Sequence, residues 1–199
     1  DNYQTAEIGT YTEVDELGIA AGFQDRYVIS FQGVCYMDFK GKELMRKTDN
    51  HGSVEKLDVD DIPCFLILSG KPKESATVHN PLRERFLHGR IEDREYIKST
   101  MDGIASIAES GRQYILDRNW EEVGKLMNRN HELRRDIGLS RKEDEEAVKM
   151  ALIYGALGAK VAGSGGAIVV LTDEYDKNWV FDRMRTLHGD KCFKPRIIK

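Results

Sequence analysis

Runs of apolar and β-branched residues predict several strands in this chain. Residues 33–39, GVCYMDF, are rich in β-forming side chains, and residues 62–70, IPCFLILSG, form a continuous apolar run between polar segments. A run of that kind is typical of a strand buried on both faces. The segment AIVVL, 167–171, predicts a third strand, and residues 193–198 predict a last one. Residues 25–30 fit either a short helix or a strand.

Helical periodicity dominates the middle of the chain, where no proline occurs between Pro81 and Tyr154. Apolar residues recur there at spacings of three and four, which places them on one face of a helix. This pattern predicts helices near 92–117, 119–136 and 141–156, and a further helix is expected over 176–187. Strands separated by helical blocks indicate an α+β fold with an antiparallel sheet covered on one face.

Three polar or flexible residues mark expected helix ends. Asn119 and Ser140 are suited to N-cap positions, because their side chains accept hydrogen bonds from the exposed amides of the next turn, and acidic residues follow both. Gly138 is suited to the end of a helix. These signals separate the second predicted helix of this region from the third.

Composition and charge narrow the class of protein. Of the 199 residues, 40% are hydrophobic, which is enough for the core of one large domain or two small ones. The net charge of -4 combines 30 basic and 34 acidic residues without a one-sided basic segment, so a nucleic-acid partner is not indicated. The apolar runs are far shorter than the ~20 residues of a membrane span, and the polar N-terminus does not resemble a signal peptide. A cytoplasmic protein without a membrane partner is expected.

The cysteines and histidines do not follow a metal-binding pattern. Cys35, Cys64 and Cys192 are far apart and contain no CxxC pair, which argues against a zinc site or a disulfide framework. The five histidines show neither HxxxH nor HExxH spacing. We therefore assign no metal to protein ligands.

A glycine-rich segment, GALGAKVAGSGGAIVVL at 155–171, joins an expected helix to an expected strand and contains five glycines. Glycine costs roughly 0.5–1 kcal/mol relative to alanine inside either element, so the cluster needs a local reason. One reason is a close approach of the backbone to a neighbouring element. The other is a loop whose bare amides approach a phosphate or another anion. The segment alone favours the first, and the two are compatible.

Five segments, taken together and in order, resemble the GHMP kinases, the superfamily of galactokinase, homoserine kinase, mevalonate kinase and phosphomevalonate kinase. The segments are ELGIAAGFQDR, GVCYMDF, VHNPLRERFLHG, NRNHELRRDIG and AKVAGSGGAIVV, between residues 16 and 170. Within the superfamily they are most similar to those of glucuronokinases, which convert glucuronate into its 1-phosphate.

The resemblance implies a domain organisation. Residues 1–60 would be the end of a ribosomal-S5-like N-terminal domain, and residues 61–199 a ferredoxin-like C-terminal domain. The PxxxGLGSSA-type loop that wraps the ATP phosphates in this superfamily has no counterpart in residues 1–24. We therefore expect the sequence to be a C-terminal portion of a kinase, inactive alone, with the N-terminal half as its missing partner.

The resemblance also implies the chemistry, with ATP and Mg²⁺ as cofactors and a small sugar as substrate. Asp25 would orient the attacking hydroxyl and accept its proton, although a lone aspartate in such a context is more often a cap or a surface residue. Gln24 and Arg26 flank it as candidate sugar ligands. The glycine loop, Gly163, Ser164, Gly165 and Gly166, would contact the phosphate or the sugar. Lys160, expected at the end of the preceding helix, is a less specific candidate, since the helix dipole favours lysine there.

A uronic acid would need a cationic partner for its carboxylate, and arginine offers the matching bidentate fork. The candidates are Arg83, Arg85, Arg134 and Arg135. Any single one of them is more often solvated or paired with a neighbouring carboxylate. Two other functions stay open, namely another GHMP-class kinase acting on galactose, a heptose phosphate or mevalonate, and a non-catalytic sugar-binding fragment.

Overall fold

The computed structural model describes residues 1–18, 22–42, 50–68, 75–175 and 177–198. The chain forms two compact units. The first contains Asp1–Asp60 and the C-terminal residues from Ile197 onward, and the second contains Asp61–Arg196. Ser69, Gly70 and Asp176, at the ends of two elements predicted from the sequence, lie outside the described residues.

The first unit packs two helices against a β-hairpin. Its elements are α1 (Asn2–Tyr11), a π-helical turn (Thr12–Glu16), α2 (Gln24–Phe31), β1 (Val34–Asp38) and β2 (Ser53–Leu57). Strands β1 and β2 are antiparallel, with Val34 opposite Leu57. Asp1 caps α1, accepting a hydrogen bond from the Gln4 amide, which satisfies one of the free amides of the first turn.

Tyr27 fixes helix α2 in the first unit. Its side chain is fully buried and packs edge-on against Phe39, with ring centroids 5.0 Å apart. The hydroxyl donates to a carboxylate oxygen of Glu7 on α1 and accepts from the amide of Gly52, at 2.9 Å. Lys42 completes the network by donating to Glu7 at 2.9 Å. Because every polar group of this network has a partner, it holds α2 firmly without leaving a buried charge uncompensated.

The second unit is an antiparallel sheet with helices. Its elements are β3 (Cys64–Leu68), α3 (Ser75–His88), α4 (Ile91–Leu116), α5 (Trp120–Asp136), α6 (Lys142–Ile153), β4 (Gly158–Ala162), β5 (Ala167–Leu171), α7 (Lys177–His188), a 3-10 turn (Gly189–Lys191) and β6 (Cys192–Phe193). The strand order is β4-β5-β3-β6, and each neighbouring pair is antiparallel. The predicted α+β class with an antiparallel sheet is confirmed.

One face of this sheet carries the main core. Alternate residues of the three longer strands pack there against α6 and α7, through the buried side chains of Phe65, Ile67, Ala147, Val148, Ala151, Ala159, Ile168, Val170, Val180, Phe181, Met184 and Cys192. The pairing register places Lys160, Val169 and Leu66 side by side in a row on the opposite face. Burial of apolar area on the first face is the main stabilising contribution of this unit.

Helix α5 covers the free edge of β4 at very close range. A Cβ atom added to Gly124 would lie 2.6 Å from the carbonyl carbon and oxygen of Leu157, so only glycine fits. One turn later, the Asn128 side chain donates to the Leu157 carbonyl and accepts from the Ala159 amide, both at 3.0 Å. The amide of Asn128 therefore replaces a neighbouring strand at this edge.

The helices predicted in the middle of the chain are confirmed as α4, α5 and α6. Asn119 caps α5, accepting from the Glu122 amide, and Gly138 follows its end with φ +86°. The assignment of Ser140 as an N-cap is wrong, because Arg141 occupies that position and is extended, without a side-chain cap bond. Residues 25–30 are helical.

Four features of the fold differ from the prediction. The glycine-rich segment is a β-hairpin, β4 and β5, so Lys160 lies within a strand and not at a helix end. The last strand is only two residues long, since Pro195 cannot donate to the ladder. Helix α3 includes Pro81, although proline usually ends a helix. Helix α1 and strand β2 lie in segments of mixed polar and apolar residues and were not predicted.

Candidate functional site

The turn at residues 163–166 joins β4 to β5 and depends on its glycines. Gly163, Gly165 and Gly166 have φ values of +52°, +109° and +87°, a backbone region that other residues rarely adopt. The Gly165 amide closes the turn by donating to the Ala162 carbonyl at 3.1 Å. Within the described part of the chain, no backbone carbonyl accepts from the amides of Ser164 and Gly166. Such amides suit anionic oxygens.

An ion pair at the start of α6 supports one side of this turn. Arg141 donates to both carboxylate oxygens of the buried Asp144, through Nε and Nη2, each at 2.8 Å. A Cβ atom added to Gly165 would lie 2.9 Å from Asp144 Oδ2 and 3.2 Å from Arg141 Nε. A side chain at position 165 would therefore collide with the pair, and this close approach explains the glycine. The pair holds the turn in place while its own charges compensate each other.

Arg134, near the end of α5, supports the other side of the turn. Its Nη2 donates to the carbonyl of Gly163 at 2.5 Å. Its Nε is buried and has no hydrogen-bond partner, and burial lowers the pKa of the guanidinium. No carboxylate of the described residues forms an ion pair with it. A buried cationic donor left in this state is costly unless an anion binds beside it.

Two further basic groups lie close to Arg134. Lys160, in the middle of β4, is partly buried, and burial together with the charge of Arg134 lowers the pKa of its amine to about 8. The pKa of His79 on α3 is also lowered, first by burial and then by Arg134. Arg134 therefore acts electrostatically on both groups while it binds the carbonyl of Gly163 in the glycine turn. We call Arg134, Lys160, His79 and residues 163–166 the hairpin site.

The remaining predicted arginines of the second unit do not join the hairpin site. Arg85 donates to both oxygens of Asp93, at 2.7 and 3.1 Å, and to the Ile137 carbonyl at 3.2 Å, so it links α3 to α4. Arg83 is exposed on α3. Arg135 is half-exposed and lies 3.9 Å from Glu145. Arg134 is thus distinguished from the other three by a buried donor without a partner.

The predicted residues of the first unit lie at the start of α2. Asp25 is in the first helical turn with its side chain 82% exposed, 3.8 Å from Nη1 of Arg26. Arg26 is largely buried, pairs with Glu13 and donates to the Gly22 carbonyl at 2.9 Å. Gln24 is exposed. Asp25 is therefore open to a ligand, whereas the guanidinium of Arg26 is already bound by groups of its own unit.

The sequence pattern did not identify several residues that shape the hairpin site. His79 lies in the segment VHNPLRERFLHG but was not a candidate there, and the Arg141–Asp144 pair belongs to none of the five segments. Lys160 was expected at a helix end and lies in a strand. The strand assignment depended on pairing with β5, which a local pattern of small residues does not reveal. The sequence offered one signal for Lys160, namely a single lysine between an alanine and a valine in an otherwise small and apolar run, where charged residues are uncommon.

Comparisons with known proteins agree with this architecture. Residues 112–189, which contain α5, α6 and the glycine hairpin, match the family model described as GHMP kinases C terminal. Over these residues the chain is similar to the C-terminal domain of GHMP kinases. It is also similar to two proteins of Arabidopsis thaliana, named glucuronokinase 1 and probable glucuronokinase 2. The identities are 36% and 40%, over 80% of this chain and 43% of each relative.

A solved structure shows the same fold. The crystal structure of L. major mevalonate kinase in complex with R-mevalonate superimposes with a TM-score of 0.69 at 20% identity, over 98% of this chain and 60% of that one. The chain spans 43% of the length of each of the two Arabidopsis relatives, which is less than half. Within the described ranges, no helix combines the length and apolar character needed to cross a membrane.

Proposed function

We propose that this protein is an ATP-dependent kinase of the GHMP class that phosphorylates the anomeric hydroxyl of a sugar acid. Two findings support the class, namely the match to the GHMP kinase C-terminal model and the similarity to the Arabidopsis glucuronokinases. The acidic substrate is supported mainly by one observation in the structure. Arg134 places a buried, unpartnered donor at the hairpin site, where a carboxylate would complete its hydrogen bonds.

Phosphoryl transfer requires mainly positioning and charge compensation from the protein. In this proposal Asp25 accepts a hydrogen bond from the attacking hydroxyl and takes its proton as the new bond to phosphorus forms. The exposure of Asp25 is suited to that role, since its side chain is 82% exposed and its carboxylate approaches Arg26 only at 3.8 Å. Gln24, exposed on the same turn, would bind the sugar.

The glycine turn offers backbone amides to anionic oxygens of the substrates. No group of three His, Cys, Asp or Glu side chains among the described residues is arranged to hold a metal ion. The Mg²⁺ that accompanies ATP would therefore be held largely by phosphate oxygens and water, as is common for this ion. The residues of the chain then act on the sugar and on the phosphate charge.

The alternative is another substrate of the GHMP class. Mevalonate is included among the substrates to be tested because it also carries a carboxylate. Its carboxylate would satisfy Arg134 equally well, whereas galactose would leave the donor unpaired. Phosphorylation should be measured with glucuronate, galacturonate, mevalonate, glucose and galactose, using the enzyme at its natural length. Preference for a neutral sugar would refute the proposed substrate, and absence of transfer to all five would refute this kinase function.

Substitution of Arg134 by methionine should reduce the preference for glucuronate over glucose about tenfold, because a charged hydrogen bond to the carboxylate is lost. Methionine retains much of the apolar stem, so packing changes little. The measurement is kcat/KM for both sugars. Arg135→Met is the matched control, since this neighbouring arginine is half-exposed. An unchanged preference in Arg134→Met, or an equal loss in Arg135→Met, would contradict the role of Arg134.

A further inference from the structure

Lys160 occupies an unusual position for a lysine. It lies at the centre of β4, in a row with Val169 of β5 and Leu66 of β3, and both of these neighbours are apolar. Among the described residues, no carboxylate forms a salt bridge with its amine. Two other partly buried cations of the same unit are neutralised, Arg141 by Asp144 and Arg85 by Asp93. Lys160 instead lies beside a second cation, Arg134.

Two neighbouring, partly buried cations without an anion oppose folding, because each loses hydration and they repel each other. A protein retains such an arrangement most readily where a ligand supplies the missing negative charge. The turn at 163–166 lies directly beyond Lys160 along the hairpin, and its amides are further donors for the same anion. The position of Lys160, the neighbouring charge of Arg134 and the amides of the turn are therefore all suited to binding an anion.

We propose that Arg134 and Lys160 together bind an oxyanion at the foot of the glycine turn, with Lys160 as a ligand-binding residue whose protonation is coupled to binding. This inference rests on the proposed kinase function only for the source of the anion. That source is either the carboxylate of the acceptor or a phosphate of the nucleotide. Both present negatively charged oxygens that accept hydrogen bonds.

Proton coupling follows from the surroundings of Lys160. Burial and the charge of Arg134 lower the pKa of the Lys160 amine to about 8. Under mildly alkaline conditions without a ligand, part of the protein molecules therefore carry a neutral Lys160. An anion beside the amine favours the charged form and raises that pKa again. Among the described residues, the charged group that acts on its pKa is Arg134 from α5, while its strand neighbour Val169 of β5 is neutral. His79 from α3 acts on the same site through Arg134, and the Arg141–Asp144 pair from α6 lies against Gly165 of the turn. Binding near pH 8.5 should therefore take up a proton.

The test is isothermal titration calorimetry at about pH 8.5 in two buffers with different enthalpies of ionisation, since proton uptake makes the observed enthalpy depend on the buffer. Glucuronate, glucose, ATP and inorganic phosphate are titrated separately into the enzyme at its natural length. We expect proton uptake on binding of glucuronate if the carboxylate of the acceptor occupies the site. We expect proton uptake on binding of ATP or phosphate if a phosphate of the nucleotide occupies it. Glucose should show none.

Lys160→Met should abolish the uptake and weaken binding of the responsible anion about five- to tenfold. Lys125→Met, at an exposed lysine of α5, is the control and should change neither. Buffer-independent enthalpies for every anion, or uptake that persists in Lys160→Met, would overturn the proposal. Because the readout is binding, an enzyme that binds an anion with proton uptake but transfers no phosphate would refute the kinase function and leave this site intact.

Thermal unfolding separates loss of the site from loss of the fold. The pKa of Lys160 is depressed from its ordinary value of 10.5, so below about pH 8 its charge destabilises the folded state without ligand. Lys160→Met should therefore unfold at a higher temperature than the parent at pH 7, and this gain should shrink as the pH rises from 8 towards 10.5. A lower unfolding temperature at pH 7 would show that the amine stabilises the free protein, contrary to the proposal.

Discussion

Replacement of Asp25 by asparagine in the enzyme at its natural length is expected to lower turnover about 100-fold or more. Asparagine retains the size and the hydrogen-bonding oxygen but cannot accept the proton of the attacking hydroxyl. In the structure, this substitution should change the chemistry without disturbing the fold. The Asp25 side chain is 82% exposed in the first turn of α2, where asparagine is also tolerated, so stability should change little. The measurement is kcat and KM for the sugar and for ATP.

Loss of the base should appear in kcat, with KM for the sugar changed far less, because the hydroxyl can still be bound. Asp15→Asn, at another exposed acidic residue of the first unit, serves as the control and should retain parental turnover. If Asp25→Asn keeps activity within a few-fold of the parent, Asp25 is only a first-turn carboxylate that stabilises the helix dipole. A change confined to the unfolding temperature would lead to the same conclusion.

The central helices could be predicted because their signal is local. Apolar residues repeat every three or four positions through α4 and α5, and Asn119 marks the start of the second by its capping side chain. Both ends of α4 and both ends of α5 lie within one residue of the expected positions. Local chemistry of this kind needs no information about the rest of the fold.

The hairpin could not be predicted in the same way. GAKVA contains small residues that suit a helix as well as a strand, and its strand conformation depends on pairing with β5 and on the approach of α5. The four candidate arginines present the same difficulty. Their sequence neighbourhoods are alike, and only the fold brings Asp93 to Arg85 while leaving the buried Nε of Arg134 without an acceptor.

Substitution of Gly124 by alanine should destabilise the second unit by about 2 kcal/mol, even though alanine is the better helix former by about 1 kcal/mol. The added methyl group would lie 2.6 Å from the backbone of Leu157. A backbone carbonyl cannot rotate away as a flexible side chain can, and the facing Gly158 has no side chain to move. Helix α5 must therefore move outward from β4. The shift lengthens both hydrogen bonds of Asn128, each of which contributes about 1 kcal/mol.

Gly111→Ala in α4 is the matched control. There the nearest atom to an added Cβ is Leu126 Cδ1 at 3.8 Å, an ordinary contact, so the helix propensity of alanine should prevail and stability should rise by about 0.5–1 kcal/mol. Free energies of unfolding from urea titration measure both variants. Equal stabilisation by the two alanines would show that α5 does not seal the β4 edge as tightly as this packing requires.

The same variant connects packing to the hairpin site. Arg134 reaches the turn from α5, and Lys160 reaches the site from β4, so an outward shift of the helix separates the two cations. Gly124→Ala should therefore weaken anion binding even at temperatures where the protein is fully folded, whereas Gly111→Ala should not. Unchanged affinity in a folded but destabilised Gly124→Ala protein would mean that the site does not depend on the distance between α5 and β4.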